Sequence, residues 1–172
     1  KTYLMAEIVG HLLSQNKSVL VTAMTNRALI ELAEKDSLKE YLLMKRVMKT
    51  SVSSDELTVC KNLVPIDSKK ITCISGSLTL STFYNSSGWA KLCYNERPFD
   101  YVIMDEASQA ILPMFAASCK IGKRNLWVGD IHQLSPIVIL NGDRIKICGY
   151  KHLMEGLKLL ADNSTSPIYQ LT

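Results

Sequence analysis

Two short runs in this chain, Ser18 to Ala23 (SVLVTA) and Tyr101 to Met104 (YVIM), are dense in apolar and β-branched residues with no polar alternation. A strand with one wet face alternates, whereas a strand without alternation is covered on both faces, as in a parallel sheet wrapped by helices. The segments between such runs have helical period. From Tyr3 to Gln15 the apolar residues Leu4, Met5, Ile8, Val9, Leu12 and Leu13 form one stripe. A second helix is expected from about Asn26, with Ala28, Leu29, Leu32 and Ala33 inward and Thr25 as its N-cap. Further helices are expected over residues 36–48 and 151–161. Further strands are expected at Ile71 to Ser75 (ITCIS), Leu126 to Val128 (LWV) and Ile168 to Leu171. Gly76 and a helix-like stretch from Leu78 to about Tyr84 follow the first of these. The reading is an α/β fold, a parallel sheet flanked by helices, with its working residues just past the carboxyl ends of the strands.

Two stretches resist this pattern. Thr50 to Lys70 is polar, carries Pro65 and has no convincing period, so an insertion or mobile loop is expected there. Asn85 to Pro98 is expected to be a loop. Its Trp89, with Tyr84 just before it, could stack nucleobases or be buried as an anchor.

Composition narrows the class. At 172 residues, 47% hydrophobic and 21% charged, the chain suits one globular domain and not coiled coil, collagen or disorder. The net charge of +4 is mild and partly local to Lys120, Lys123 and Arg124, so it permits a nucleic-acid partner without requiring one. Five cysteines, no two of them close in sequence, form neither a metal knuckle nor a disulfide framework and read as reduced, buried thiols. No apolar stretch has the length of a membrane span, and no secretory leader is visible, so an intracellular protein is expected, cytoplasmic or nuclear. The abrupt start at Lys1-Thr2 reads as the cut edge of something larger.

The residues with chemistry stand at the strand ends. Asp105 and Glu106 follow four residues of buried strand, a placement suited to holding Mg²⁺ and orienting a water in nucleotide hydrolysis. The alternative is a pair of acids at a helix N-terminus. Past the next strand, Gly129-Asp130-Ile131-His132-Gln133 puts a glycine where backbone must pass closely. The neutral amide of Gln133 is able to bond a terminal phosphate oxygen or the attacking water, or else simply faces solvent in a turn. Lys1-Thr2, directly before an amphipathic helix, match the end of a phosphate loop G-x-x-x-x-G-K-[ST].

Together these segments resemble superfamily 1 helicases, particularly the Upf-like group. Asp105-Glu106-Ala107-Ser108-Gln109 resembles their motif II (Walker B), and Gly129-Asp130-Ile131-His132-Gln133-Leu134-Ser135-Pro136 resembles motif III, G-D-x-x-Q-L-x-P. Thr22-Ala23-Met24-Thr25-Asn26-Arg27-Ala28 is similar to motif Ia, and Ile71 to Ser77 sits where motif Ic belongs. Met24 departs from a common proline, and Ser135 from a proline or glycine. The resemblance implies a partial RecA-like P-loop NTPase domain over residues 1–172 (helicase domain 1A), without the motif I glycines and without the second RecA-like domain.

By the same resemblance, ATP and Mg²⁺ are the cofactors. Lys1, Thr2, Asp105, Gly129 and Asp130 bind the nucleotide, with Thr2 and Asp105 serving the metal. Glu106 activates water and Gln133 senses the γ-phosphate. Thr25, Asn26, Ser75 and Ser77 face the sugar-phosphate backbone of single-stranded nucleic acid, DNA in preference to RNA, although Thr25 is also a plain helix cap. The implied function is an ATP-dependent helicase or translocase. A second RecA-like domain of the same chain would supply arginines worth about 10³ to 10⁵ in rate. The alternatives are an ATPase that remodels without unwinding and a scaffold with an idle site, the latter disfavoured by the repulsive cost of keeping Asp105 and Glu106 together.

Overall fold

The computed structural model describes residues 1–94, 96–132, 154–163, 165 and 167. In chain order its elements are α1 (Thr2–Ser14), β1 (Val19–Ala23), α2 (Asn26–Ala33), a 3-10 turn (Asp36–Leu38), α3 (Lys39–Leu43), β2 (Val47–Thr50), α4 (Ser54–Val59), β3 (Val64–Ile66) and β4 (Leu78–Thr82). They continue with α5 (Phe83–Trp89), β5 (Phe99–Met104), a second 3-10 turn (Ala107–Gln109), α6 (Leu112–Ile121), β6 (Gly122–Trp127) and α7 (Gly156–Asn163). The strands form one sheet in the order β3-β2-β4-β1-β5-β6. Every neighbouring pair is parallel. This is the α/β architecture expected from the unalternated runs, with the topology of a RecA-like domain.

All five residues of β1 are buried, which follows from its central place. Val19, Val21 and Ala23 join Leu78, Leu80 and Ile103 under α1, α2 and α3. On the opposite face, Leu20 and Val102 pack with Trp89, Phe99 and Ile121. Met104 lies there with Phe83 and Phe115, and Leu157 and Leu160 of α7 lean against them. Helices therefore cover both faces of the central strands, while the edge strands β3 and β6 are partly open.

Several expectations are corrected. The helix expected over residues 36–48 stops at Leu43, and Val47–Thr50 is strand β2. Residues 50–70, expected to be an insertion or mobile loop, carry α4 and β3, with α4 held by a full capping box between Ser53 and Glu56. The strand expected at Ile71 to Ser75 is displaced: that segment has no ladder, and the strand is Leu78–Thr82, where a helix was expected. Gly76 makes the turn between them at φ +67°, where a Cβ would come within 2.7 Å of both Arg46 Nη1 and Asn16 Oδ1. The expected loop 85–98 begins inside α5, and Trp89 is a buried anchor. It lies 6.3 Å from Phe99 in a stacked pair and donates from Nε1 to the Ser68 carbonyl at 2.7 Å. Of the helix expected at 151–161, residues 151–153 lie outside the described residues, and α7 runs to Asn163. The strand expected at 168–171 also lies outside them. Cys60 and Cys93 are free and buried, Cys73 and Cys119 free and half-buried. Burial raises the Cys60, Cys73 and Cys93 thiols.

Candidate nucleotide and strand site at the carboxyl edge

Parallel pairing puts the carboxyl ends of all strands on one edge. Thr22 pairs with Ser81 on one side and Met104 on the other, and Met104 pairs with Trp127. Consequently Asp105-Glu106, Met24-Thr25-Asn26, Phe83-Tyr84 and Gly129-Asp130 all emerge at that edge, in strand order and about 4.8 Å apart from one strand to the next.

Asp105 is 4% exposed and continues the ladder by donating its backbone N–H to the Thr22 carbonyl at 2.8 Å. Its Oδ1 accepts from the Glu106 backbone N–H at 2.8 Å and from Lys1 Nζ at 3.1 Å. The ion pair brings the start of α1 to the end of β5. Lys1 stands at the N-cap of this thirteen-residue helix, an end whose first-turn N–H groups favour an anion. The helices after β1, β2 and β4 are all capped, by Thr25, Ser53 and Thr82. Thr2, beside Lys1, is half-buried.

Glu106 has left-handed backbone at φ 51°, ψ 39°, a conformation that costs a non-glycine residue about 1 kcal/mol and gathers at functional sites. The turn after it is tied down, because Ala107 donates to the Val128 carbonyl at 2.9 Å and Val128 donates to the Met104 carbonyl at 2.8 Å. Gly129 lies where these segments cross: a Cβ there would stand 2.8 Å from the Ser108 nitrogen and 3.3 Å from that of Ala107. Asp130 is exposed, and its Oδ1 accepts from the His132 backbone N–H at 2.9 Å, closing a small turn. Gln133 lies outside the described residues.

Among the described residues no group of three or more His, Cys, Asp or Glu is placed to hold a metal ion. This is compatible with Mg²⁺, a hard cation that takes one or two carboxylates and completes its shell with water and phosphate oxygens. Asp105 supplies one such carboxylate, and Thr2 follows the lysine that pairs with it.

Thr25 and Asn26 are exposed at the same edge, and Thr25 Oγ1 accepts from the Ala28 backbone N–H at 3.3 Å, so it is the expected cap. Ser75 and Ser77 are not brought to them. They precede β4, the Ser77 carbonyl accepts from the Val19 N–H at 3.1 Å, and both sit at the amino end of the sheet. The residue at this edge that sequence reasoning missed is Thr82, the last of β4, whereas Tyr84, expected to stack nucleobases or to be buried as an anchor, is exposed just after it. Thr82 Oγ1 accepts from the Asn85 N–H at 3.4 Å. A threonine able to cap the stretch that starts at Phe83 was the available signal. Lys49 was missed as well. It is fully buried, with Nζ donating to the carbonyls of Thr50 and Ser51 and to Glu56 Oε2 at 3.1–3.3 Å.

The order of the parallel sheet is consistent with a RecA-like P-loop NTPase domain, and the family comparison points the same way. The AAA domain family matches residues 70–141. More particularly, the chain is related to DNA2-type helicases. It is 32% identical over 140 residues to the DNA replication ATP-dependent helicase/nuclease DNA2 of Saccharomyces cerevisiae, covering 80% of this chain and 9% of that protein. To the dna2 protein of the same description from Schizosaccharomyces pombe it is 30% identical over 151 residues, covering 80% of this chain and 10% of the relative. The chain thus spans about a tenth of the length of the curated relatives it matches. No helix among the described residues is long and apolar enough to cross a membrane.

Proposed function

We propose that the chain forms one wall of the ATP site, and part of the single-strand track, of an ATP-dependent helicase or translocase of superfamily 1. The observation that carries this reading is the 3.1 Å pair between Lys1 Nζ and Asp105 Oδ1. It joins the two parts of a nucleotide site that lie about a hundred residues apart in sequence. A lysine at a helix N-terminus suits a polyphosphate, and the adjoining buried carboxylate suits its cation. DNA is favoured as the nucleic acid because both matched relatives are named as DNA replication enzymes. The DEASQ and GDxxQLxP segments favour the Upf-like group within the superfamily.

In this reading Lys1 neutralises the outer phosphates, while Thr2 and Asp105 would hold Mg²⁺. Bound Mg²⁺ supplies charge neutralisation at the phosphate oxygens. Glu106 is held beside Asp105 by the turn after β5 and takes a proton from the attacking water, and Gln133 bonds the terminal phosphate. Gly129, whose backbone passes the Ala107 and Ser108 nitrogens, and Asp130 bind the nucleotide in the same reading. Thr25 and Asn26 position the sugar-phosphate backbone without reading bases. Ser75 and Ser77 stand at the opposite end of the sheet, so the track runs over the β4 end at Thr82 instead.

The test is ATP turnover by the full-length protein with and without single-stranded DNA or RNA, for wild type and Glu106→Gln. Strand-stimulated turnover that the substitution lowers by about 10² or more supports a motor with Glu106 at the reacting water. Turnover indifferent to either strand would move the reading to a remodelling ATPase, and absent turnover to a scaffold.

A further inference from the structure

The start of α7 (Gly156–Asn163) packs against the 3-10 turn Ala107–Gln109. Two glycines allow the close approach. A Cβ on Gly156 would stand 2.9 Å from Phe115 Cε2 and 3.0 Å from the Leu112 nitrogen, so α7 begins directly on the start of α6. A Cβ on Gly129 would stand 2.6 Å from Leu157 Cδ2, 2.8 Å from the Ser108 nitrogen and 3.3 Å from that of Ala107. The Leu157 methyl and the Ala107-Ser108 backbone therefore border the same small space beside Gly129. Leu157 itself is half-buried and packs on the cluster of Phe83, Met104, Ala107 and Phe115.

That turn begins directly after Glu106, whose backbone is left-handed at φ 51°. In a residue with a side chain this conformation persists only where the surroundings over-determine it. Hydrogen bonds tie the turn to the strand ends: Asp105 Oδ1 accepts from the Glu106 N–H at 2.8 Å, and Ala107 donates to the Val128 carbonyl at 2.9 Å. Leu157 adds packing where the chain leaves β6 at Gly129. Without its methyls the space beside Gly129 opens, and backbone next to such a space partly relaxes into it. Movement of Ala107 and Ser108 would relieve the strain at Glu106 and shift its carboxylate. We infer that Leu157 is a positioning residue for Glu106: by filling the space beside Gly129 it blocks that relaxation and holds the carboxylate in place for the attacking water. The inference rests on the reading of Glu106 as the group that takes the proton, and it extends the working edge to a helix outside the sheet. Glu106 acts only when water attacks, whereas Lys1 and Asp105 hold the nucleotide beforehand, so the contribution of Leu157 belongs to the chemical step and not to binding.

The experiment measures ATP turnover by the full-length protein as wild type, Leu157→Ala, Leu157→Met, Glu106→Gln and the double variant of Leu157→Ala with Glu106→Gln, by single turnover where rates are slow. Leu157→Ala should lower kcat by about 10- to 100-fold with KM for ATP unchanged, and Leu157→Met, similar in volume, should keep the wild-type rate. In the Glu106→Gln background Leu157→Ala should cost about twofold at most, because the group it positions is already gone. An unchanged kcat for Leu157→Ala overturns the inference, as does an equal loss in both backgrounds, which a merely loosened fold would produce. A higher KM at unchanged kcat overturns it too, by assigning Leu157 to nucleotide binding. If the alanine variant does not fold, Leu157→Val, which shortens the side chain without emptying the site, is judged by the same criteria. If wild type turns over no ATP, or Glu106→Gln matches wild type, the reading of Glu106 itself fails and takes the positioning role with it.

Discussion

Asn16, at φ 57°, and Lys45, at φ 55°, take the same left-handed conformation for the same purpose. Each ends a helix by a paired turn: Lys17 and Asn16 donate to the carbonyls of Leu12 and Leu13, and Arg46 and Lys45 to those of Tyr41 and Leu42. Asparagine tolerates this backbone; lysine, with an unaided Cβ, adopts it only at a cost. Lys45→Gly should therefore raise the stability of the domain by about 0.5–1 kcal/mol, read as a higher urea midpoint at unchanged slope. A lower midpoint would mean that the exposed lysine contributes more than its backbone strain costs. The same residue hid the end of α3 from the sequence, because nothing in a lysine marks a helix stop, and β2 was consequently absorbed into the expected helix. Asn16 is a legible stop, and there the expected and observed boundaries agree closely. Glu106 uses the same backbone region without ending any helix. Its strain lies directly after the buried Asp105.

α4 has six residues and none is buried, too short to hold together alone. Its support is the capping box and the ion pair from Lys49, whose ammonium is surrounded by two carbonyls and Glu56. Removing one partner leaves the other's charge uncompensated, at greater cost where that charge is the more deeply buried, and Lys49 is fully buried whereas Glu56 is 16% exposed. Glu56→Ala should thus destabilise by about 3–5 kcal/mol and Lys49→Met by clearly less, both measured by urea unfolding. The opposite order would show that Lys49 is held mainly by the Thr50 and Ser51 carbonyls. Element boundaries went astray where hydroxyls were satisfied inside. β4 (LTLST) looks half polar, yet Thr79 donates to the Thr72 carbonyl at 3.0 Å and Thr50 donates to Ser81 at 3.2 Å, so those hydroxyls are buried at little cost. Ile71 and Cys73 are apolar enough to look like strand, but they only lean against the cluster around Trp89. Periodicity sees polarity and cannot see partners.

The parallel sheet has two unlike ends. At the amino end Asp100 Oδ2 accepts from the Ser18 N–H and hydroxyl at 3.0 Å each, and Oδ1 accepts from Lys123 Nζ at 2.9 Å, tying β1, β5 and β6 together. These contacts, the Ser18 N–H first and then the Lys123 ammonium, lower the Asp100 carboxyl from its ordinary 3.8 to about 2. A depressed carboxyl gives stability that is complete above the unfolded value and is lost as pH falls from about 4 through about 2. With the side chain 27% exposed, solvent screening holds the contribution to roughly 1–2 kcal/mol. Asp100→Asn should lower stability by that amount at pH 7, and the gap to wild type should close as pH falls towards 2, measured by urea unfolding across the range. A gap that stays constant with pH would assign the loss to geometry instead of charge. On the molecular scale, the sheet, its parallel sense and the positions of Asp105, Glu106, Thr25 and Gly129 were legible, because unalternated runs and their carboxyl ends follow from burial and chain direction. Ser75 and Ser77 were misplaced because one displaced strand moves a residue from one end of the sheet to the other.

From Ser18 to Thr25 the central strand runs seven steps, roughly 20 Å at about 3.3 Å per residue, well beyond the range of about 7–10 Å over which substitutions usually influence each other. The Asp100 clasp and the carboxyl edge are therefore energetically separable. A lesion in one can be offset by reinforcement in the other, so the working edge is free to change its chemistry while the clasp carries the cost in stability.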